Sequence, residues 1–362
     1  MIKKLGVLLK RYKEILVITY LVKILLFLIV LLWNNNHRDA EYLYWVQWDS
    51  PHYIDIAKTG YVTTGTEALW IVFYPLYPLL IRLFSTIFQN FELTAVLIPI
   101  FFSFATSIAL FELVLLDFPK KIAIKAVWFL SIFPTAYFLQ SAYTESLFLF
   151  LTITSIYFFR TKKIILSAIF AALSSATRVN GIFLAPLFIV EAIKMRKVQP
   201  WYKSCLPILF TPLGLIIYLS INFHLYHDFF YFTKPLESNW YKKFAPPWEG
   251  LINMYQSFPQ TTDYLYPAYL LEATSLLIAL CTSIFILIKV KKSYALYIWL
   301  NLFLFISTSF VVSTPRYVLS LFPIFIAFAM IKNKFLFSFL SLLFMIGLVF
   351  FTLRFTNGEW AF

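Results

Sequence analysis

The sequence predicts an all-α polytopic membrane protein, and three observations carry that reading. Of its 362 residues 61% are hydrophobic and only 13% charged, whereas a soluble domain averages roughly 45–50% apolar and about 25% charged. Apolar runs long enough to cross a bilayer as helix, which takes about 20 residues, recur along the whole chain. The cations sit in short clusters between those runs. A formal charge of +13 therefore makes no nucleic-acid surface, because no long basic face forms. Short basic loops are what the positive-inside rule expects of a cytoplasmic side.

The first run, Ile15–Trp33, follows Lys3, Lys4, Lys10, Arg11 and Lys13 in the manner of a signal peptide. Trp33-Asn34-Asn35-Asn36 stands where a cleavage site needs small residues, so an uncleaved first span is expected. Further spans are expected at Leu93–Leu116, Ile122–Leu139, Thr144–Phe159, Lys203–Asn222, Tyr264–Ile288, Tyr294–Val312, Tyr317–Ile331 and Phe335–Leu353. Two apolar stretches are irregular. Ala68–Asn90 is broken by Pro75 and Pro78 and carries Arg82, and Ile164–Ile193 is interrupted by Thr177-Arg178-Val179-Asn180-Gly181.

Charge decides how these two run. With Ala68–Asn90 on the outer surface and Ile164–Ile193 as two short helices meeting at Arg178, every basic cluster falls on one side. Those clusters are Lys120/Lys121/Lys125, Arg160/Lys162/Lys163, Lys194/Arg196/Lys197, Lys289/Lys291/Lys292 and Lys332/Lys334. With each stretch as a single span, the first two clusters move outside. The preferred topology has about eleven spans in one domain, 1–362, with the N-terminus inside and the C-terminus outside. Most acidic residues, among them Asp39, Asp49, Glu145 and Asp263, then lie outside the cytoplasm. Two large outer loops, 34–92 and 223–263, hold much of the polar chemistry. Cys205 and Cys281 lie in or beside apolar runs without a CxxC pair, so neither a disulfide framework nor a zinc site is expected.

The densest constellation is Trp48-Asp49-Ser50-Pro51-His52-Tyr53-Ile54-Asp55-Ile56-Ala57-Lys58-Thr59-Gly60-Tyr61. Ser50-Pro51 reads as a helix start, with a cap residue before proline at the first helical position. Thr59-Gly60 reads as its stop. A short helix is therefore expected just outside the first span. Asp49 lies beside that helix's free N–H groups and positive dipole end, as an accessory cap or as a functional carboxylate. Asp55 and Lys58 are spaced for a surface pair, and His52 is a structural ring or a substrate ligand.

The pattern Trp48-Asp49-x-x-His52-Tyr53-x-x-Ile56-Ala57-x-x-Gly60-Tyr61 resembles the signature of the PIG-V type mannosyltransferases. Phe73-Tyr74-Pro75-Leu76-Tyr77-Pro78-Leu79 is similar to that family's next block. Tyr143-Thr144-Glu145-Ser146 is similar to its acidic turn, and Thr177-Arg178-Val179-Asn180-Gly181 to its Arg-x-Asn-Gly turn. The resemblance runs in order over about Trp48–Pro186. Pro315-Arg316-Tyr317, opening a late helix, echoes many glycosyltransferases of the GT-C superfamily. The resemblance implies a GT-C bundle with its site at the outer face and Asp49 as catalytic base. It further implies a polyprenyl- or dolichyl-phosphate sugar, usually mannose, as donor.

Elementary chemistry asks for the same groups. An acceptor hydroxyl attacking an anomeric carbon needs a carboxylate to take its proton, and an oxocarbenium-like transition state gains from nearby negative charge. The leaving lipid phosphate is already anionic and needs cations. Arg178 and Arg316 are expected at outer helix ends, where they either bind phosphate with their forks or snorkel to headgroups. Glu145 sits in a tight outer turn, where an ionisable group is a functional candidate. The expected site is thus Asp49 with His52, Tyr53, Glu145, Arg178, Asn180, Arg316 and Tyr317, with no metal and no cofactor. The expected partners are the lipid-phosphate sugar, a glycan or glycolipid acceptor and membrane lipids. Glu112 and Glu272 fall inside spans without an assigned role. A transporter or lipid-linked-sugar flippase, and a non-catalytic assembly subunit, are the competing readings. Transporter sites lie near mid-membrane, whereas these charges gather at one face. Compact loops favour a bacterial cell membrane over an endoplasmic reticulum membrane.

Overall fold

The computed structural model describes residues 2–33, 40–195, 201–257 and 266–362. Asp39, Arg196, Lys197 and Asp263, which entered the topology argument, lie outside them. Among the described residues the chain is helical with no strand. A lone antiparallel bridge joins Phe244 to Thr308. In chain order the α-helices are α1 (Ile2–Trp33), α2 (Ser50–Thr59), α3 (Leu76–Phe88), α4 (Phe91–Leu115), α5 (Lys120–Ile132), α6 (Glu145–Arg160), α7 (Ile164–Thr177) and α8 (Leu184–Met195). They continue as α9 (Trp201–Phe210), α10 (Leu213–Tyr226), α11 (Thr233–Trp240), α12 (Pro247–Ser257), α13 (Tyr266–Lys289), α14 (Lys292–Ile306), α15 (Thr314–Leu319), α16 (Pro323–Ala329) and α17 (Lys334–Thr356).

Five stretches among the described residues are long and apolar enough to cross a membrane: Lys10–Trp33, Phe91–Leu115, Ser204–Tyr226, Leu270–Lys289 and Lys334–Thr356. A sixth is added if Thr66–Val72 and Leu76–Phe88 count as one span, although the chain turns by 114° between them. Helix length alone therefore does not reach about eleven. The shortfall has local causes. The expected span Ile122–Leu139 stops at Ile132, because Phe133 takes an extended ψ of 142° ahead of Pro134. A 3₁₀ turn, Ala136–Leu139, follows. The run Tyr317–Ile331 is cut by Pro323, which begins α16 as an N-terminal proline. The run Tyr294–Val312 ends as helix at Ile306, where Ser307-Thr308-Ser309 begins.

Both irregular stretches break where the sequence does. Ala68–Asn90 bends around Pro75, and α7 gives way to a 3₁₀ turn, Val179–Phe183, immediately after Arg178. Gly181 makes that turn possible, since a Cβ there would lie 2.4 Å from the Ser175 backbone nitrogen. Two corrections concern α2. Its N-cap is Asp49, one residue earlier than expected, and the Asp49 side chain makes no capping bond. Lys58 pairs with Glu92 at 2.6 Å and not with Asp55. Gly60, at φ 83°, closes the helix as expected.

Helix α6 is the hub, buried nearly all round between α4 and α7 with α8 behind it. Lipid supplies no hydrophobic drive between helices, so small polar groups join them. Thr106 donates to the Ser146 carbonyl at 3.0 Å, the Thr152 and Ser174 hydroxyls meet at 2.8 Å, and Ser155 donates to the Ser167 carbonyl at 2.7 Å. At the C-terminal end of α6, Arg160 grips Asp117 through both carboxylate oxygens at 2.6 and 2.7 Å. Its N-terminal end, about 24 Å away at 1.5 Å per residue, meets α2, α15 and the break at Arg178.

Candidate active site

The N-terminus of α6 delivers Glu145, whose side chain is fully buried. One of its oxygens accepts from Arg178 Nη1 at 2.5 Å and from Arg316 Nε at 2.5 Å. Arg178 comes from the break between α7 and the 3₁₀ turn, and Arg316 from α15. The same Arg316 donates through Nη1 to Asp49 Oδ2 at 3.2 Å. Four charged groups far apart in sequence thus form one chain: Asp49, Arg316, Glu145 and Arg178. A carboxylate removed from water needs such partners, since an unpaired buried charge is strongly unfavourable.

Aromatic rings wall the cluster. The Arg316 guanidinium lies 4.4 Å from the Tyr143 ring centroid and 5.1 Å from that of Phe138. Arg178 lies 5.6 Å from the Tyr317 ring, which stacks on Phe305 at 4.7 Å. Tyr143 also fixes the backbone that carries the base candidate, accepting from the Asp49 N–H at 3.1 Å and donating to the Gln47 carbonyl at 3.1 Å. Glu272 acts on the other wall. Its carboxylate accepts from the backbone N–H groups of Ser313 and Thr314 at 2.5 and 2.7 Å, and so holds the start of the helix bearing Arg316 and Tyr317.

Three non-glycine residues in the left-handed region, Trp48 (φ 56°), Tyr241 (φ 54°) and Ser313 (φ 67°), lie just ahead of Asp49, Lys242 and Arg316. Non-glycine residues take this conformation at a cost of about 1 kcal/mol or more. In each case it turns the chain so that the next elements meet the same space.

The remaining expected site residues fall into two groups. Tyr317 faces the cluster, its hydroxyl accepting from Lys242 Nζ. Tyr53 is buried behind Asp49 with its ring edge-on to Phe73 and Tyr77 at 4.7 and 5.1 Å. His52 stacks on Trp70 at 3.6 Å between ring centroids. Burial lowers its pKa, partly offset by Asp49 and Asp55. Asn180 is not at the cluster's surface; its amide donates to Asn301 Oδ1 at 2.6 Å and ties the break to α14. Glu112 pairs with Arg11 at 2.6 Å, away from the cluster. Among the described residues no three His, Cys, Asp or Glu side chains gather as metal ligands.

Sequence reasoning missed two contributors, both from the 223–263 loop. The Trp240 indole donates to Asp49 Oδ1 at 3.4 Å, and Lys242 reaches Tyr317. The available signal was weak: a Trp-Tyr-Lys-Lys run at 240–243, with no pattern linking it to Asp49.

A family model described as Mannosyltransferase (PIG-V) matches residues 13–231, more than half of the chain. No curated protein matches. Among solved structures, the Archaeoglobus fulgidus oligosaccharyltransferase in its apo form superposes with a TM-score of 0.53 at 13% identity, covering 98% of this chain and 56% of that one. A complex of the Archaeoglobus fulgidus enzyme AglB with an inhibitory peptide and a dolichol-phosphate gives 0.46 at 12% identity, covering 97% and 56%. The chain therefore spans little more than half the length of these neighbours. The first likeness is one of fold, and it is the GT-C architecture that the motifs imply.

Proposed function

The chain belongs to the Mannosyltransferase (PIG-V) family, and from that premise we propose that it moves mannose from a polyprenyl-phosphate carrier to a hydroxyl of a glycan or glycolipid. The transfer takes place at the extracytoplasmic face of a bacterial cell membrane and inverts the anomeric centre, within one domain spanning 1–362. The observation that supports this most directly is the Asp49–Arg316–Glu145–Arg178 chain, which sets a carboxylate beside two guanidinium groups. Such a pairing suits a reaction that takes a proton on one side of a sugar and releases phosphate on the other.

In this reading the donor phosphate enters against Arg178 and Arg316, whose planar forks match its oxygens. Phosphate competes with Asp49 for Arg316 Nη1, which leaves the Asp49 carboxylate to accept the acceptor's hydroxyl proton. The acceptor oxygen bonds to the anomeric carbon as the carbon–oxygen bond to phosphate breaks, and the bonding pair leaves with the phosphate. A β-linked donor gives an α-linked product. Glu145 is a positioning residue that holds both arginines, and Tyr53 and His52 support the backbone of α2. No cofactor takes part. A dolichol-phosphate bound to the archaeal oligosaccharyltransferase AglB is consistent with a carrier of this type.

Asp49→Asn keeps the side chain's shape but cannot take a proton. Mannose transfer from polyprenyl-phosphate mannose, measured in membranes with matched protein levels, is expected to fall by about 10²–10⁴. A rate within about threefold of wild type would place the base elsewhere. Sidedness is tested separately: single cysteines at Thr66 and Asn239 should react with an impermeant thiol reagent on intact cells, and one at Lys162 should not. Labelling of Lys162 from outside would move the site to the cytoplasmic face.

A further inference from the structure

We infer that Lys242, on the second outer loop, is a ligand of the donor phosphate and supplies a cation that no carboxylate among the described residues bonds. This rests on the transferase reading above. In the buried cluster two guanidinium groups face two carboxylates, so Asp49, Arg316, Glu145 and Arg178 balance without a ligand. Lys242 stands outside that chain; the nearby Glu272 feels its charge, but both Glu272 oxygens are taken by the Ser313 and Thr314 N–H groups. Among the described residues no carboxylate accepts a bond from it; its Nζ meets the Tyr317 hydroxyl and lies 4.4 Å from the centre of the Tyr317 ring. The neighbouring Lys243 and Lys234, by contrast, are each paired on the surface, with Glu237 at 3.0 Å and Asp228 at 3.2 Å.

The chemistry of the step fits one extra cation. A sugar linked to a lipid through a phosphodiester carries a single negative charge. When the carbon–oxygen bond breaks, the electron pair stays on phosphate, which leaves as a monoester bearing one more negative charge. A cation bonded to no carboxylate among the described residues answers the first charge and stabilises the second. Because Lys242 donates to Tyr317, the phenol proton is free to donate to a phosphate oxygen. The loop is fixed for this purpose at both ends. Trp240 holds Asp49, and the Ser309 N–H donates to the Lys243 carbonyl at 2.8 Å while the Ala245 N–H donates to the Ser307 carbonyl at 3.2 Å. Base and phosphate ligand are thereby tied to one short segment, so the donor's arrival at Lys242 is felt at Asp49.

The test uses the purified full chain in detergent, titrated calorimetrically with farnesyl phosphate and, in parallel, with uncharged farnesol. Lys242→Met is expected to weaken farnesyl phosphate about tenfold or more, the usual scale for a charge-assisted bond, with farnesol unchanged. Lys242→Arg should keep most of the affinity, which guards against a folding artefact. Tyr317→Phe removes the tie but leaves the ammonium, so its loss should be smaller. Lys234→Met, which removes a paired cation from the same loop, should have no effect. Binding of farnesyl phosphate by Lys242→Met within about twofold of wild type overturns the inference, as does an equal loss in Tyr317→Phe or Lys234→Met. Wild type that binds farnesol as tightly as farnesyl phosphate overturns the donor reading itself, and this inference with it.

Discussion

Each end of α6 meets a carboxylate facing two cations, and the two ends differ in a way that separates a latch from a site. At the C-terminal end, Asp117 accepts from Arg160 at 2.6 and 2.7 Å and pairs with Lys291 at 3.4 Å. Both its oxygens are taken, and about a quarter of the side chain is exposed. The result staples the α4–α5, α6–α7 and α13–α14 connections together. At the N-terminal end, Glu145 is fully buried and lends one oxygen to two arginines. One of those arginines continues to a second carboxylate, Asp49, which is itself partly open to solvent. Pairing alone is common to both ends. What distinguishes the N-terminal end is a fully buried carboxylate shared by two arginines, from which the chain of charges continues to Asp49, walled by Tyr143, Phe138 and Tyr317.

The largest expected effect comes from Glu145→Gln. It leaves two nearly buried guanidinium groups short of a charge, and breaking one partner of such a cluster typically costs about 3–5 kcal/mol. The thermal midpoint and mannose transfer should therefore fall together. Unchanged stability would mean the Glu145 cluster is as loosely coupled as a surface pair. Asp117→Asn sharpens the contrast. The expected loss is on the order of 1–3 kcal/mol of stability, while the transfer rate per folded molecule stays the same. A fall in that specific rate would show that the Asp117 latch also shapes the site.

Arg178→Lys is smaller again. It keeps the charge but loses the fork, so donor KM should rise about tenfold at normal protein level. Unchanged donor KM would remove Arg178 from the phosphate's surroundings. The smallest effect is that of His52. Burial lowers its folded pKa beneath an unfolded value of about 6.5. Above that value neither state takes up a proton, and below it the unfolded chain takes one up first. Stability should then fall as pH drops from about 6.5 towards the folded pKa. His52→Phe keeps the stacking on Trp70 and removes this slope, as melting midpoints between pH 7.5 and 5.5 would reveal. An identical slope in the variant would assign the acid sensitivity to other groups.

Much of this was legible in the residues themselves. The stop at Thr59-Gly60 and the break at Arg178 follow from local rules of backbone geometry, and both stand in the fold. The cap fell one residue earlier, at Asp49, whose carboxylate accepts from Arg316 and Trp240 instead of capping its own helix. The expected spans near Pro134 and Pro323 read as continuous because hydropathy counts apolar side chains and is blind to the missing N–H and to the φ and ψ that proline imposes.

By itself the sequence determined the solvent of this protein, the order of its helices and the identity of the chemically able residues, because composition, proline and glycine act within a few positions of the chain. Only the tertiary structure decided that Glu145 binds two arginines at once, that Arg316 bridges it to Asp49 across 267 residues, and that Trp240 and Lys242 belong with them. Those facts depend on which helix ends come to lie side by side. Packing of small residues around α6 settles that, and no local pattern encodes it.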